Sequence, residues 1–199
     1  MNVCGLTGGV GMGKSTAARF FRERGAQLLD TDEIARQLVQ PGQAELAAIQ
    51  AAFGGQIIGP ASELNRAALA QIVFADANAR KNLEAILHPL IREQWTTQIE
   101  IWRGEGHPLA LVVIPLLFET QAGPHFDKII CAACSAAAQR ERLLARGWTP
   151  EHIRLRNAAQ LPVEEKIARA DFVIWTEGTL AVHARQVDDI LVRMTPASA

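Results

Sequence analysis

Gly8, Gly13, Lys14 and Ser15 stand in the spacing G-x-x-x-x-G-K-[ST], inside the run "GLTGGVGMGKST". That pattern does phosphate chemistry. Glycines let backbone N–H groups close around an anion, the following helix adds the positive end of its dipole, and the lysine reaches the terminal phosphates. Ser15 is suited to place its hydroxyl on a magnesium ion, with Thr16 as an auxiliary beside it. A dinucleotide fingerprint, G-x-G-x-x-G, fails on the same glycines: counted from Gly9 and Gly11, Lys14 occupies the last glycine position, which disfavours a Rossmann dehydrogenase. The loop alone is shared by GTPases, motors and small-molecule kinases. This sequence has no Asn-Lys pair of the guanine-specific kind and no Asp in "LVVIP", the strand best suited to a second magnesium carboxylate. Both absences favour a compact kinase.

The elements that position these residues alternate strand with helix. "NVCGLT" reads as a buried first strand, residues 14 to 25 as a helix ending at Gly25, and "AQLLD" at 26 to 30 as a second strand. From about residue 33 to 103 helical periodicity takes over, with Leu69, Ile72 and Val73, then Leu83, Ile86 and Leu87, at spacings of three and four. "LALVVIPLLFE" reads as a central strand running into a loop, and "DKIICAA" at 127 to 133 as another strand. Residues 136 to 146 return to helix, "DFVIW" at 171 to 175 is the last strand, and a helix follows over about 178 to 194. Such alternation predicts a parallel sheet covered by helices, an α/β fold.

Further candidates gather at the predicted strand ends. Asp30 and Asp32 leave the second strand at the edge of a parallel sheet where ligands bind. Carboxylates there suit orienting an acceptor hydroxyl, taking up its proton or holding magnesium through water; an Asp capping the next helix is the plainer reading. "HPLIR" sets His88 and Arg92 four apart on one helix face, with Pro89 suited to a first helical turn. Between 139 and 169, Arg140, Arg142, Arg146, Arg154, Arg156, Lys166 and Arg169 face only Glu141, Glu151, Glu164 and Glu165, a net +3 in a chain of net -1.

Composition narrows the remaining classes. The 199 residues, 49% hydrophobic and 21% charged, suit one folded domain with a packed core. A net charge of -1 argues against a protein that works on the nucleic-acid backbone. The longest apolar run, 109 to 118, is too short to span a membrane and is broken by Pro115. With no visible signal peptide, a cytoplasmic protein without membrane or nucleic-acid partners is expected. Cys4, Cys131 and Cys134 are an odd set, and "CAAC" lacks the second ligand pair of a zinc site, so these cysteines read as small buried residues.

Five strings in order, "GLTGGVGMGKST", "LLDTDEIAR", "LHPLIR", "PLLFE" and "RADFVI", resemble those of dephospho-coenzyme A kinases over nearly the whole chain. The resemblance implies a P-loop kinase of nucleoside-monophosphate-kinase type, with a five-stranded parallel sheet and flanking helices. The core is expected over about 1–58, 107–138 and 170–199, a helical acceptor-binding insertion over about 59–106 and a lid over about 139–169. It implies transfer of the ATP γ-phosphoryl group to the ribose 3′-hydroxyl of dephospho-coenzyme A, with Mg2+; separately, a monomer is expected. Asp32 becomes the candidate base, although an ordinary aspartate pKa of about 4 suits positioning better than proton removal. His88, Arg92, Leu117 and Glu119 fall near the acceptor, with Phe118 either beside them or in the core. Arg142 and Arg146 close over ATP, Lys14 reaches its terminal phosphates, and Gly9, Gly11, Met12, Gly13, Ser15 and Thr16 hold them. Two departures stand out. "WTEG" at 175 to 178 replaces the family's Asp-Asn-x-Gly, which puts the adenine contacts in doubt, and Met12 replaces a Ser, its side chain expected to point away from the phosphates. A kinase of another nucleotide or small hydroxyl acceptor, or a regulator that hydrolyses ATP slowly, are the alternatives.

Overall fold

The computed structural model describes residues 1–194. The chain folds into two compact units: Met1–Leu29 with the chain from Ile99 onward, and Asp30–Gln98.

The first unit is built on a five-stranded sheet in the order β2-β3-β1-β4-β5. Its strands are β1 (Asn2–Thr7), β2 (Gln27–Asp30), β3 (Leu109–Val113), β4 (Lys128–Ala133) and β5 (Phe172–Trp175). β1 pairs in parallel with β3 and β4, and β4 with β5. β1 is the central strand, buried from Val3 to Thr7, so its residues run as an unbroken apolar string rather than alternating. Every strand legible in the sequence is present, each within a residue or two of its expected ends. Between strands lie α1 (Lys14–Glu23), α6 (Ala136–Ala145), α7 (Pro150–Ala158) and α8 (Val163–Arg169), and α9 (Leu180–Met194) follows the last strand. Leu6, Phe21, Leu111, Ile130, Ile174, Val187 and Ile190 pack into one cluster that seats α1 and α9 on the sheet.

Cys4, Cys131 and Cys134 are all buried and unbridged. Burial pushes the Cys4 thiol up to about 12 and the Cys131 thiol up to about 11, so they are inert packing residues. Among the described residues no helix is long and apolar enough to cross a membrane.

His183 of α9 is 5% exposed and sits edge-on to Phe20 of α1, ring centroids 5.3 Å apart. Its Nε2 has no hydrogen-bond partner among the described residues. Burial, and then the Arg142 guanidinium, lower its pKa. The unfolded chain therefore binds this proton more readily than the folded one. Stability is full above the ordinary imidazole value, about 6.5, and declines as pH drops below it toward the folded value. His183→Leu is expected to raise stability by about 1 kcal/mol and to shrink the fall in Tm between about pH 7 and pH 5. Thermal melts across that range check it; an unchanged slope would assign the acid sensitivity to another group.

The second unit contains α2 (Thr31–Leu38), α3 (Ala44–Phe53), α4 (Arg66–Ala75) and most of α5 (Ala77–Gly104). Val39, Ile49, Phe53, Ile57 and Leu69 form its core, with Ile72, Val73, Leu83, Ile86 and Leu87 packed against them. The three- and four-residue spacing read from the sequence thus places these side chains on the buried faces. Pro89 corrects one expectation: it lies well inside the 28-residue α5, not in a first turn. Local proline chemistry favours a helix start. Here the helix runs through, with apolar residues on its N-terminal side, Leu83, Ile86 and Leu87, anchored in the unit's core.

Candidate active site

The phosphate loop leaves β1 at its carboxyl end and enters α1 at Gly13, which adopts φ +87° and provides no side-chain cap. The positive end of the α1 dipole is therefore left for an anion. Gly8 is required by space as well as by conformation. Its φ is +140°, and a Cβ there would stand 2.2 Å from the carbonyl oxygen of Ala132 on β4. Gly8→Ala is expected to lower stability by about 3 kcal/mol and to abolish tight nucleotide binding, checked by denaturant unfolding and ADP titration.

Two residues outside the loop set the direction of its amides. Gln139 of α6 donates from Nε2 to the Val10 carbonyl at 2.8 Å, and Thr176 donates from Oγ1 to the Met12 carbonyl at 3.1 Å. In a trans peptide C=O and N–H point in opposite directions, so drawing these carbonyls outward turns the Gly11 and Gly13 amides inward. The Lys14 ammonium curls over the same loop, donating to Gly8 O and Gly9 O at 2.9 Å each. Met12 is 4% exposed, with its side chain packed inward against Gly9. Ser15 is exposed and Thr16 half-buried in the first turn of α1.

Arg142 of α6 is bound at both ends of its fork to Thr176: Nη1 to Oγ1 at 2.8 Å and Nη2 to the carbonyl at 2.6 Å. Thr176 thereby links this guanidinium to the phosphate loop. It occupies the altered string "WTEG", where Glu177 also accepts from the Ser135 N–H at 2.5 Å, which holds its carboxyl below the usual range. Arg146 is exposed at the C-terminal cap of α6, one turn beyond Arg142. The α6–α8 segment and the loop wall a cavity of about 370 Å³, lined by Met12, Gln139, Asn157, Leu161, Ile167 and Trp175 among others.

After β3 the segment "PLLFE" divides its residues. Leu117, expected at the acceptor, is fully buried and packs against Gly5, so its side chain belongs to the core. Phe118 is also buried, beneath the Arg169 guanidinium at 4.5 Å. Glu119 accepts on Oε1 from the Leu161 N–H and from Lys166 Nζ, both at 2.8 Å.

In the other unit, Asp30 caps α2, its Oδ1 accepting from the Asp32 N–H at 2.9 Å. The plainer reading is thus realised at Asp30, and Asp32 is left exposed in the first helical turn. His88 and Arg92 lie one turn apart on α5. Burial lowers the His88 pKa, Glu84 opposes the shift and Arg92 adds to it. Among the described residues no cluster of three or more His, Cys, Asp or Glu side chains is arranged to hold a metal. A magnesium ion carried largely by nucleotide phosphates does not need such a cluster, and the Ser15 hydroxyl at the loop is a ligand of the right chemistry for it.

Gln139, Thr176 and Lys166 carry contacts that the motif reading missed. The departure "WTEG" marked the neighbourhood of Thr176 in the sequence, and the basic stretch 139–169 that of Lys166, but neither signal showed the contacts.

A parallel sheet in this order, with a phosphate loop between its central strand and α1, defines a P-loop kinase fold. The family model for dephospho-CoA kinase matches residues 2–181. A dephospho-CoA kinase of Bdellovibrio bacteriovorus is 40% identical over 96% of this chain and 95% of its own. Among solved structures, a Thermus thermophilus protein superposes with a TM-score of 0.83 at 31% identity, covering 98% of each chain. The dephospho-CoA kinase of Campylobacter jejuni gives 0.71 at 27% identity, covering 97% of this chain and 96% of its own. The chain belongs to the dephospho-CoA kinase family.

Proposed function

We propose that the protein transfers the γ-phosphoryl group of ATP to the ribose 3′-hydroxyl of dephospho-coenzyme A, giving coenzyme A and ADP in the last step of coenzyme A biosynthesis. The observation that carries this reading is the phosphate loop, its amides turned inward by Gln139 and Thr176, on a chain matched over residues 2–181 by the family model.

Phosphoryl transfer asks the protein for positioning and charge stabilisation more than for covalent chemistry. The backbone from Gly9 through Gly13, with Ser15 and Thr16, holds the phosphates, and Lys14 compensates charge on the transferring group. Arg142 and Arg146 belong to a lid over about 139–169 that closes on ATP and excludes water. Asp32 orients the acceptor hydroxyl or takes its proton. His88, Arg92 and Glu119 contact the acceptor, and the helices of about 59–106 form its binding insertion. Leu117 supports that contact from the core. Ser15 would hold Mg2+ together with the nucleotide, and the ion would supply charge stabilisation at the terminal phosphates. The protein works as a cytoplasmic monomer, without nucleic-acid or membrane partners.

The test is incubation with magnesium-ATP and dephospho-coenzyme A, followed by mass spectrometry for coenzyme A. Stoichiometric ADP and coenzyme A are expected. Absence of product, or equal turnover of adenylate or shikimate, would reject this acceptor, and ATP hydrolysis without any acceptor would favour a regulator.

A further inference from the structure

Lys166, counted from the sequence among the cations of the basic stretch 139–169, has no exposed surface in α8. Its Nζ donates to the Pro115 carbonyl at 2.7 Å and pairs with Glu119 Oε1 at 2.8 Å. The same Pro115 carbonyl accepts from Thr7 Oγ1 at 3.2 Å, and the same Glu119 oxygen accepts from the Leu161 N–H at 2.8 Å. One ammonium therefore joins the end of β1, the segment after β3, the α7–α8 connection and α8. It also lies at the root of the phosphate loop, since the Pro115 carbonyl it holds is shared with Thr7, the residue before Gly8.

Stability alone is a poor reason for this arrangement, because desolvation of a buried ion pair offsets most of its attraction. Its effect is directional. With Oε1 engaged twice, Glu119 Oε2 is fixed in place, buried and without a hydrogen-bond partner among the described residues. A shielded carboxylate oxygen with no donor is an acceptor left for one. We propose that Lys166 is a positioning residue for phosphoryl transfer: by clamping Oε1 of Glu119 it presents Oε2 to a hydroxyl or amine donor of the bound acceptor nucleotide. This rests on the reading of Glu119 as an acceptor contact given above.

The clamp predicts a particular coupling. In Glu119→Gln, Lys166 still demands the side-chain oxygen, so the amide nitrogen takes the Oε2 place and turns an acceptor into a donor. In Lys166→Met nothing fixes the orientation. Each single variant is expected to lose about 10²-fold in kcat/KM for dephospho-coenzyme A, with the Kd for ADP changed less than threefold. The double variant is expected to be no worse than Lys166→Met. Losses that multiply, or an ADP affinity that falls in step with kcat/KM, would overturn the proposal and leave a merely structural lysine. Hydrogen exchange in the ADP complex gives a readout independent of the reaction. Lys166→Met should speed exchange at Leu161 and across 115–122 while β1 and β4 stay protected, and unchanged rates there would also overturn it. If the wild-type protein does not phosphorylate dephospho-coenzyme A, the functional reading fails and the exchange result alone decides the clamp. If Lys166→Met does not fold, Glu119→Gln decides it: kcat/KM within threefold of wild type sinks the proposal.

Discussion

Lys14→Met is expected to reduce kcat about 10³-fold while the protein still folds and binds ADP. Removing one well-placed stabilising donor costs about 10²–10³ in rate, and Lys14 is both donor and cation. Methionine keeps the length and apolar stem of lysine but loses the ammonium. The half-buried side chain surrenders two hydrogen bonds, to Gly8 O and Gly9 O, a modest cost to stability. The amides of Gly11 and Gly13 are set by Gln139 and Thr176, so the cradle for the phosphates survives the substitution. Ground-state binding should therefore fall much less than turnover, which is the signature of an interaction made mainly in the transition state. Lys14→Arg should fare little better, because a planar fork does not replace a compact point charge in a closed loop. Steady-state kinetics beside calorimetric ADP titration separates the two quantities. A Lys14→Met enzyme within tenfold of wild-type kcat would remove the lysine from the chemistry.

What the sequence disclosed follows the range of the forces involved. The strands were legible because a strand buried on both faces writes itself as an apolar run, and the phosphate loop because its chemistry is confined to consecutive residues. Gln139 and Thr176 were not, since their partners in the loop lie 129 and 164 residues away in the chain, and only the folded sheet brings them together. Lys166 stands in the sequence only as one more cation of a basic stretch, because a charge pattern cannot show that a carbonyl and a carboxylate from another segment will satisfy the ammonium. Pro89 misled for the opposite reason. A local preference for a helix start was overridden by the packing that carries α5 through it. Leu117 illustrates a further limit: a motif fixes which residues follow a strand, while their facing is decided by neighbours such as Gly5.

Asp32→Asn should be the other severe variant, losing about 10²–10⁴-fold in kcat with little change in fold. The stability side is constrained by the α2 cap. Asp30, not Asp32, accepts the first-turn amide, so neutralising Asp32 removes only a favourable charge near the helix dipole, about 0.5 kcal/mol. Asp30→Ala, by contrast, removes the cap and should cost about 1 kcal/mol, whereas Asp30→Asn, which still caps, should be nearly silent. This pairing separates catalytic loss from helix loss two residues apart. The pH profile then separates the two roles open to Asp32. If the carboxylate takes the hydroxyl proton, the acid limb of the kcat profile disappears in Asp32→Asn, because the group whose protonation stopped the reaction is gone. If it only orients the hydroxyl, the amide retains an oxygen for that hydrogen bond, the loss sits at the smaller end of the range, and the limb persists. A rate within tenfold of wild type, at any pH tested, would place the acceptor's orienting group elsewhere.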